Sequence, residues 1–146
     1  MPNVHRIEHD TFALATLADL GSVAINTSLI SDADSTDDLG SSNVFWRTLY
    51  TDSIHVSVIS KTSAYTAALD HVILCDASGA AFTVTLPAAS GISGRVYHIK
   101  KTDSSNNAVT VDGNSSETID GGTTATLTVQ YESIMIVCDG AAWHII

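Results

Sequence analysis

The sequence predicts an all-β protein, and three observations support that prediction. From residue 64 to the end, short runs of alternating apolar and polar residues recur at roughly ten-residue intervals. Turn formers such as D-A-S-G at 76–79 fill the gaps between the runs. Neither a helical pattern nor a strand–helix–strand unit interrupts the series. Such a series is typical of an antiparallel β-sandwich or barrel, which we expect to form a C-terminal knob at residues 64–146.

The strands of the knob are predicted from the alternation and from the residues that stop it. F-T-V-T-L at 82–86 alternates cleanly, and Pro87 ends it because proline lacks the amide hydrogen that a β-ladder needs. T-I followed by D-G-G at 120–122 is a hairpin signal. In chain order the predicted strands lie at 71–75, 82–86, 95–101, 108–111, 118–119, 124–129 and 133–138, and W-H-I-I forms the last strand.

Residues 1–60 have a different character, and we predict an extended arm that leads into a neck. Residues 11–20 fit either a short helix or an irregular extended arm, since a ten-residue helix is marginal by itself. Residues 52–60 alternate as a half-buried strand. The apolar side of that strand carries Ile54, Val56 and Val58.

The densest apolar cluster of the chain lies at residues 44–50, V-F-W-R-T-L-Y. An aromatic side chain buries on the order of 150–250 Å² when it finds a partner, and this segment is too short to fold around itself. The cluster should therefore pack against another part of the chain or against another subunit. The residues that we predict to form a subunit interface here are Leu39, Trp46, Leu49 and Tyr50.

Composition excludes several classes of function. The net charge is −10, from sixteen acidic against six basic residues, and such a surface repels phosphate backbones, so we expect no nucleic-acid partner. No apolar run reaches the ~18 residues that span a bilayer. The first ten residues also lack the basic-then-apolar order of a secretory signal. We therefore expect a protein that is made in a cytosol and has no membrane partner.

The sequence predicts no enzyme, no cofactor and no metal site. No nucleophile elbow, phosphate loop or dinucleotide-binding motif is present. His5 and His9 are four residues apart but have no third ligand nearby, and the other four histidines stand alone, although a trimer can bring three copies of one histidine to its axis. The acidic loop 32–38 resembles the start of a calcium loop, but the sixth and twelfth positions counted from Asp32 are Asp37 and Asn43 where Gly and Glu are needed, which leaves a looser ion site open. Cys75 and Cys138 are expected to be buried strand residues, and whether they pair stays open.

Two segments resemble appendage proteins of tailed bacteriophages. Residues 38–50 match the element D-L-G-S-x4-W-x2-[IL]-Y, which recurs in tail fibres and related proteins, at every defined position. Residues 65–146 are similar to the C-terminal β-domains of phage fibre, spike and head-appendage proteins. The matching features there are V-T-L-P at 84–87, I-K-K at 99–101 and D-G-A-A-W at 139–143.

The resemblance implies a non-enzymatic structural protein of a phage virion, assembled in the host cytoplasm. It implies a homotrimer, either a head decoration or head fibre or a tail-fibre appendage, with capsid or tail proteins as partners and a host surface glycan as a further one. Residues 1–60 would anchor the protein to the virion and trimerise it, and residues 64–146 would face outward. The anchor residues would be Phe12, Leu14, Leu17 and Leu20.

Two alternatives remain open beside this interpretation. A free-standing carbohydrate-binding β-sandwich would need exposed aromatic side chains on one sheet face, and a small hydrolase would need a cleft with carboxylates of perturbed pKa. For receptor contact we favour the loops at 87–94 and 103–107, because loop tips carry recognition. The aromatic candidates in the knob are Tyr65, Tyr97, Tyr131 and Trp143.

Overall fold

The computed structural model describes Thr48 and residues 50–146, and residues Thr51–Ile146 form one compact unit. The described residues form strands and no helix, so they contain no helix that could span a bilayer. The predicted acidic loop 32–38 lies outside the described residues. So do Phe12, Leu14, Leu17, Leu20, Leu39, Trp46 and Leu49.

Nine strands make up the described unit, and together they confirm the all-β prediction. They form a five-stranded sheet in the order β1-β3-β5-β8-β9 and a four-stranded sheet in the order β2-β4-β6-β7. The strands are β1 (Val58–Lys61), β2 (Tyr65–Thr66), β3 (Val72–Cys75), β4 (Phe82–Thr85), β5 (Val96–Lys101), β6 (Val109–Asp112), β7 (Thr124–Leu127), β8 (Ser133–Cys138) and β9 (Trp143–Ile145).

From β1 to β6 the chain winds as a flat coil, because each strand lies in the sheet opposite to the strand before it. The neighbour of each strand in its own sheet is therefore two strands away in the chain, and the pairs β1–β3, β3–β5, β2–β4 and β4–β6 are all parallel. Each of the last three strands is antiparallel to the strand that it joins. They complete the two sheets with the antiparallel pairs β6–β7, β5–β8 and β8–β9.

The hydrophobic core is the layer between the two sheets. Side chains alternate across each strand, so every second residue of both sheets points into this layer. The parallel register aligns these inner residues into rows that cross the sheets, so each turn of the coil rests on the next. One row in the five-stranded sheet consists of Ile59, Ile73, Ile99 and Ile134, and a facing row consists of Phe82, Val109 and Leu127.

The winding gives the unit two ends with different loops. The chain enters β1 at one end, where the Ser57 carbonyl oxygen accepts the amide of Val72 at 3.0 Å. We call this the proximal end, and it carries the loops 67–71, 86–95, 113–123 and 139–142. The opposite, distal end carries the loops 62–64, 76–81, 102–108 and 128–132.

The predicted antiparallel architecture is wrong, since four of the seven strand pairs are parallel. Parallel neighbours need a long crossover connection, which in most proteins is a helix. Here the crossover from β3 to β5 runs through β4 in the other sheet, and the crossover from β4 to β6 runs through β5. The absence of a helical pattern therefore did not exclude parallel pairing.

The predicted strand at 52–60 is wrong in extent and in register. Only Val58–Lys61 forms a strand, and Ile59 is the residue that packs against the core. Ile54 and Val58, which we expected on the buried side, are 72% and 60% exposed. A shift of one residue moves every side chain of a strand to the other face, and here that shift turns the expected apolar side outward.

The remaining strand predictions agree with the structure to within a few residues, with two exceptions. The short strand β2, Tyr65–Thr66, was not predicted. The expected hairpin at 118–122 is a single bridge between Ile119 and Gly122. In addition, β1 pairs with β3, so the β-unit begins before the predicted boundary at residue 64.

Gly113 is required by the close approach of two backbone segments in the loop after β6. A Cβ atom at this position would lie 2.3 Å from the carbonyl oxygen of Glu117. Such an overlap forces the loop to move, and overpacking of this kind costs about 1–3 kcal/mol. By contrast, a Cβ atom at Gly79 would have no neighbour within 4 Å.

We expect Gly113→Ala to lower the free energy of unfolding by about 1–3 kcal/mol, because the loop must give way. Denaturant unfolding followed by circular dichroism measures this change. Gly79→Ala is the matched control and should change stability by less than about 0.5 kcal/mol. Equal effects of the two substitutions would contradict the close approach at residue 113.

Candidate functional site

A shallow cavity of about 270 Å³ lies at the proximal end and includes the predicted recognition loop 87–94. Its lining is almost entirely apolar, and it forms where the loops after β2 and β4 meet the start of β5. The lining residues are Ala68, Leu69, Pro87, Ile92, Arg95 and Tyr97.

Arg95 and Tyr97 hold the wall of the cavity in place by binding the backbone of loop 67–71. The Nη2 of Arg95 donates to the carbonyl oxygen of Asp70 at 2.7 Å and to that of Ala68 at 3.2 Å. The Tyr97 hydroxyl donates to the Ala68 carbonyl oxygen at 2.5 Å, and burial raises the pKa of this hydroxyl. The polar groups at the cavity are thus largely used for structure, and the cavity offers mainly apolar contact.

A second tyrosine fastens the same loop. The Tyr65 hydroxyl and the Asp70 carboxylate form a short hydrogen bond. This hydrogen bond, together with burial and the negative charge of Asp70, raises the pKa of Tyr65 to about 12. The Lys61 ammonium lies 3.8 Å from the centre of the Tyr65 ring and covers it. Tyr65 therefore stabilises the loop and does not act as an acid or base near neutral pH.

At the distal end the predicted loop 103–107 is held by a buried ion pair. Lys101 is fully buried, and its ammonium donates to both carboxylate oxygens of Asp103 at 2.7 Å. Asp103 also accepts the amide of Ala77 at 2.7 Å and both the amide and the hydroxyl of Ser105. A buried charge needs such partners, so this loop has a structural role.

The same hydrogen bonds set the ionisation of Asp103. Burial alone would raise its pKa, but the hydrogen bonds from Lys101, Ser105 and two backbone amides outweigh burial and hold the pKa well below the usual range. Alternation along β5 places Lys101 on the inner face with Tyr97 and Ile99. That alternation is the sequence signal from which a buried Lys101, and hence its need for an acidic partner, could be predicted.

The histidines do not assemble into a metal site within the described residues, where no group of three or more His, Cys, Asp or Glu side chains has suitable geometry. His144 lies 2.9 Å from Asp139 and 3.6 Å from Asp120. The hydrogen bond to Asp139 raises the pKa of His144, and all three side chains are substantially exposed. The pair of contacts secures the C-terminal strand at the surface of the unit.

The four knob aromatics do not form a flat platform for sugar rings. Trp143 and Tyr97 are fully buried and lie against each other, with ring centres 5.7 Å apart. Tyr65 is covered by Lys61, as described above. Tyr131 is 62% exposed, in the distal loop 128–132. Only one of these four rings is exposed, whereas the carbohydrate-binding alternative requires a row of exposed rings.

The two cysteines lie at opposite ends of the same sheet. Cys75 pairs with Lys101 at the distal end of β5. The amide of Cys138 donates to the carbonyl oxygen of Arg95, which precedes β5 at the proximal end. Six residues of a strand separate these levels, or roughly 20 Å, whereas a disulfide requires Cα atoms within about 7 Å. Both thiols are free and buried, and burial raises the pKa of Cys75 to about 11.

Of the predicted interface residues only Tyr50 is described, and it is 93% exposed.

Searches of protein-family models and of curated proteins return no match to this chain. The resemblance to phage appendage proteins therefore stays a prediction that rests on the sequence motifs.

We expect both thiols of the native protein to resist a thiol reagent such as dithionitrobenzoate, and two thiols per chain to react after denaturation. Both thiols are buried, and burial raises the pKa of each, so both stay in the unreactive protonated form. Thr126→Cys, which adds an exposed thiol on β7, is the control and should react at once. A native chain that shows no free thiol after denaturation would mean that the two cysteines pair.

We expect acid to destabilise the protein through Asp103. Because the folded-state pKa of Asp103 lies below the unfolded value of about 3.9, its contribution is complete above that value and is lost as pH falls towards the folded pKa. Asp103→Asn should lower the melting temperature at neutral pH and flatten its decline between about pH 4 and pH 2. The control is Asp112→Asn on the outer side of β6. An unchanged acid profile in Asp103→Asn would show that the pair does not contribute.

Proposed function

We propose that this chain is a non-enzymatic structural protein of a tailed-phage virion, a homotrimeric head decoration or head fibre or a tail-fibre appendage. The observation that carries the proposal is the D-L-G-S-x4-W-x2-L-Y element at residues 38–50, placed directly before an all-β unit. The motifs V-T-L-P, I-K-K and D-G-A-A-W follow in the order expected for the C-terminal domains of such proteins.

The arm and neck supply the attachment in this proposal. The arm residues Phe12, Leu14, Leu17 and Leu20 bind capsid or tail proteins, and Leu39, Trp46, Leu49 and Tyr50 bury one another between three subunits. The exposure of Tyr50 agrees with a need for a partner, since a ring of that size loses water-exposed area only through contact with another surface.

The structure of the knob favours this proposal over a free-standing carbohydrate-binding module. Such modules stack sugars on exposed rings, and three of the four candidate aromatics are buried or covered here. Two exposed apolar side chains, Val129 and Tyr131, lie together in the distal loop 128–132. We assign host contact to this loop, because it lies at the end of the unit opposite to the start of β1.

We expect the purified full-length chain to have a mass of about 46 kDa, three times the 15.3 kDa of one chain, in light scattering or sedimentation equilibrium. Trp46→Asp should reduce this mass towards 15.3 kDa, because a charge in the neck opposes burial. A wild-type mass of 15.3 kDa over the micromolar range would overturn the trimer.

We expect an antibody against the knob to label intact phage particles in electron micrographs and thereby to distinguish head from tail. The double variant Phe12→Asp, Leu17→Asp should remain trimeric but fail to join particles, because only the anchor has changed. If particles carry none of this chain while the soluble fraction retains it as a trimer, the virion assignment fails and the trimer stands.

A further inference from the structure

The two sheets of the unit have outer faces of opposite character. The four-stranded sheet turns a polar face outward, built from Thr66, Thr83, Thr85, Thr110, Asp112, Thr124 and Thr126. The five-stranded sheet turns outward Val58, Val72, Leu74, Val96, Met135 and Val137, with His98 and Lys100 on the central strand and Ser60, Ser133 and His144 towards the edges. We call the second surface the aliphatic face.

The strand sequences show the same difference. The strands F-T-V-T and T-A-T-L of the four-stranded sheet alternate apolar and hydroxyl residues, as expected when one face meets water. The strands V-I-L-C and S-I-M-I-V-C of the five-stranded sheet are nearly continuous apolar runs, which is typical of strands covered on both faces. Within the described residues only the inner face of this sheet is covered.

We propose that the aliphatic face is the surface through which two further copies of this chain complete the trimer, an inference that rests on the proposed function. None of the residues that the strands turn outward on this face is acidic, and Asp120 and Asp139, which contact His144, lie at the β9 edge, so copies can approach across the centre of the face without repulsion between acids. The central residue of the face is His98, on the middle strand β5, in the row Val58, Val72, His98 and Met135.

The size of the face fits an interface in which the sheet supplies one part and the predicted neck supplies the other. Five strands about 4.8 Å apart and three to six residues long, at about 3.3 Å per residue, give roughly 360 Å². A stable interface buries about 800 Å² per partner, so the face supplies about half of that area. The predicted neck at residues 39–50 provides the rest, and it precedes β1, the first strand of this sheet, by a few residues in the chain.

The test compares the aliphatic face with the threonine face of the same unit. Met135→Glu and Val72→Glu place a charge on the aliphatic face, and Thr110→Glu and Thr83→Glu place the same charge on the other face as matched controls. Light scattering over a concentration series should show at least a tenfold increase in the dissociation constant of the trimer for the first pair and no change for the second. Far-UV circular dichroism confirms that each variant is folded.

Cross-linking provides a second measurement, which does not require a charged side chain in the proposed interface. In His98→Cys, a short bismaleimide should join two copies, whereas Thr110→Cys should give only single chains. If the wild type has a mass of about 46 kDa and all four glutamate variants keep it, the face assignment is wrong and the trimer stands. If the wild type has a mass of 15.3 kDa, both fail, and protection of residue 98 from maleimide would then show that the chain covers the face itself.

Discussion

The structure depends on the burial of one apolar layer between two sheets that the same coil of chain builds alternately. Each strand from β1 to β6 adds residues to one side of the layer, and the next strand adds residues to the other side. A fully buried apolar side chain contributes about 1.5–3 kcal/mol relative to exposure, so the aliphatic and aromatic residues of this layer together supply a large favourable free energy. No turn of the coil can bury its inner residues without the turn beside it, which makes the unit cooperative.

The ion pair of Lys101 and Asp103 marks the distal limit of that layer. The inner row that begins with Lys61 and Cys75 ends in Lys101, where the apolar layer meets the loops. A buried ammonium is costly unless it is paired and hydrogen-bonded, and Asp103 meets both conditions while also binding the amides of Ala77 and Ser105. The pair thereby ties two loops of successive coil turns together, which apolar side chains at these positions would not do.

Local sequence predicted the strands well because alternation and turn residues are local properties. F-T-V-T-L and S-I-M-I-V-C were located correctly from pattern alone. The pairing of the strands was not predictable in the same way. Whether the chain after β3 forms a hairpin in the same sheet or crosses to the other sheet depends on contacts between residues that are far apart in the chain. Ile59 shows the limit: the run from residue 52 to 60 alternates convincingly in one register, yet packing against Ile73 selects the other. The cavity at Arg95 also depends on the pairing and was therefore out of reach.

The direction of the coil decides which loops lie at the same end of the unit as the start of β1. The chain enters the unit at the proximal end, and the cavity of loop 87–94 lies at that same end, beside Leu69, whose carbonyl oxygen accepts the Ser57 hydroxyl. The cavity therefore lies at the same end of the unit as the start of β1, and the loop 128–132 lies at the opposite end. Burial of the aliphatic face would remove one side of the unit from water. The threonine face and the distal loop with Val129 and Tyr131 would then be the surfaces left to meet a host, and of these two only the distal loop offers the exposed apolar side chains from which binding sites are commonly built.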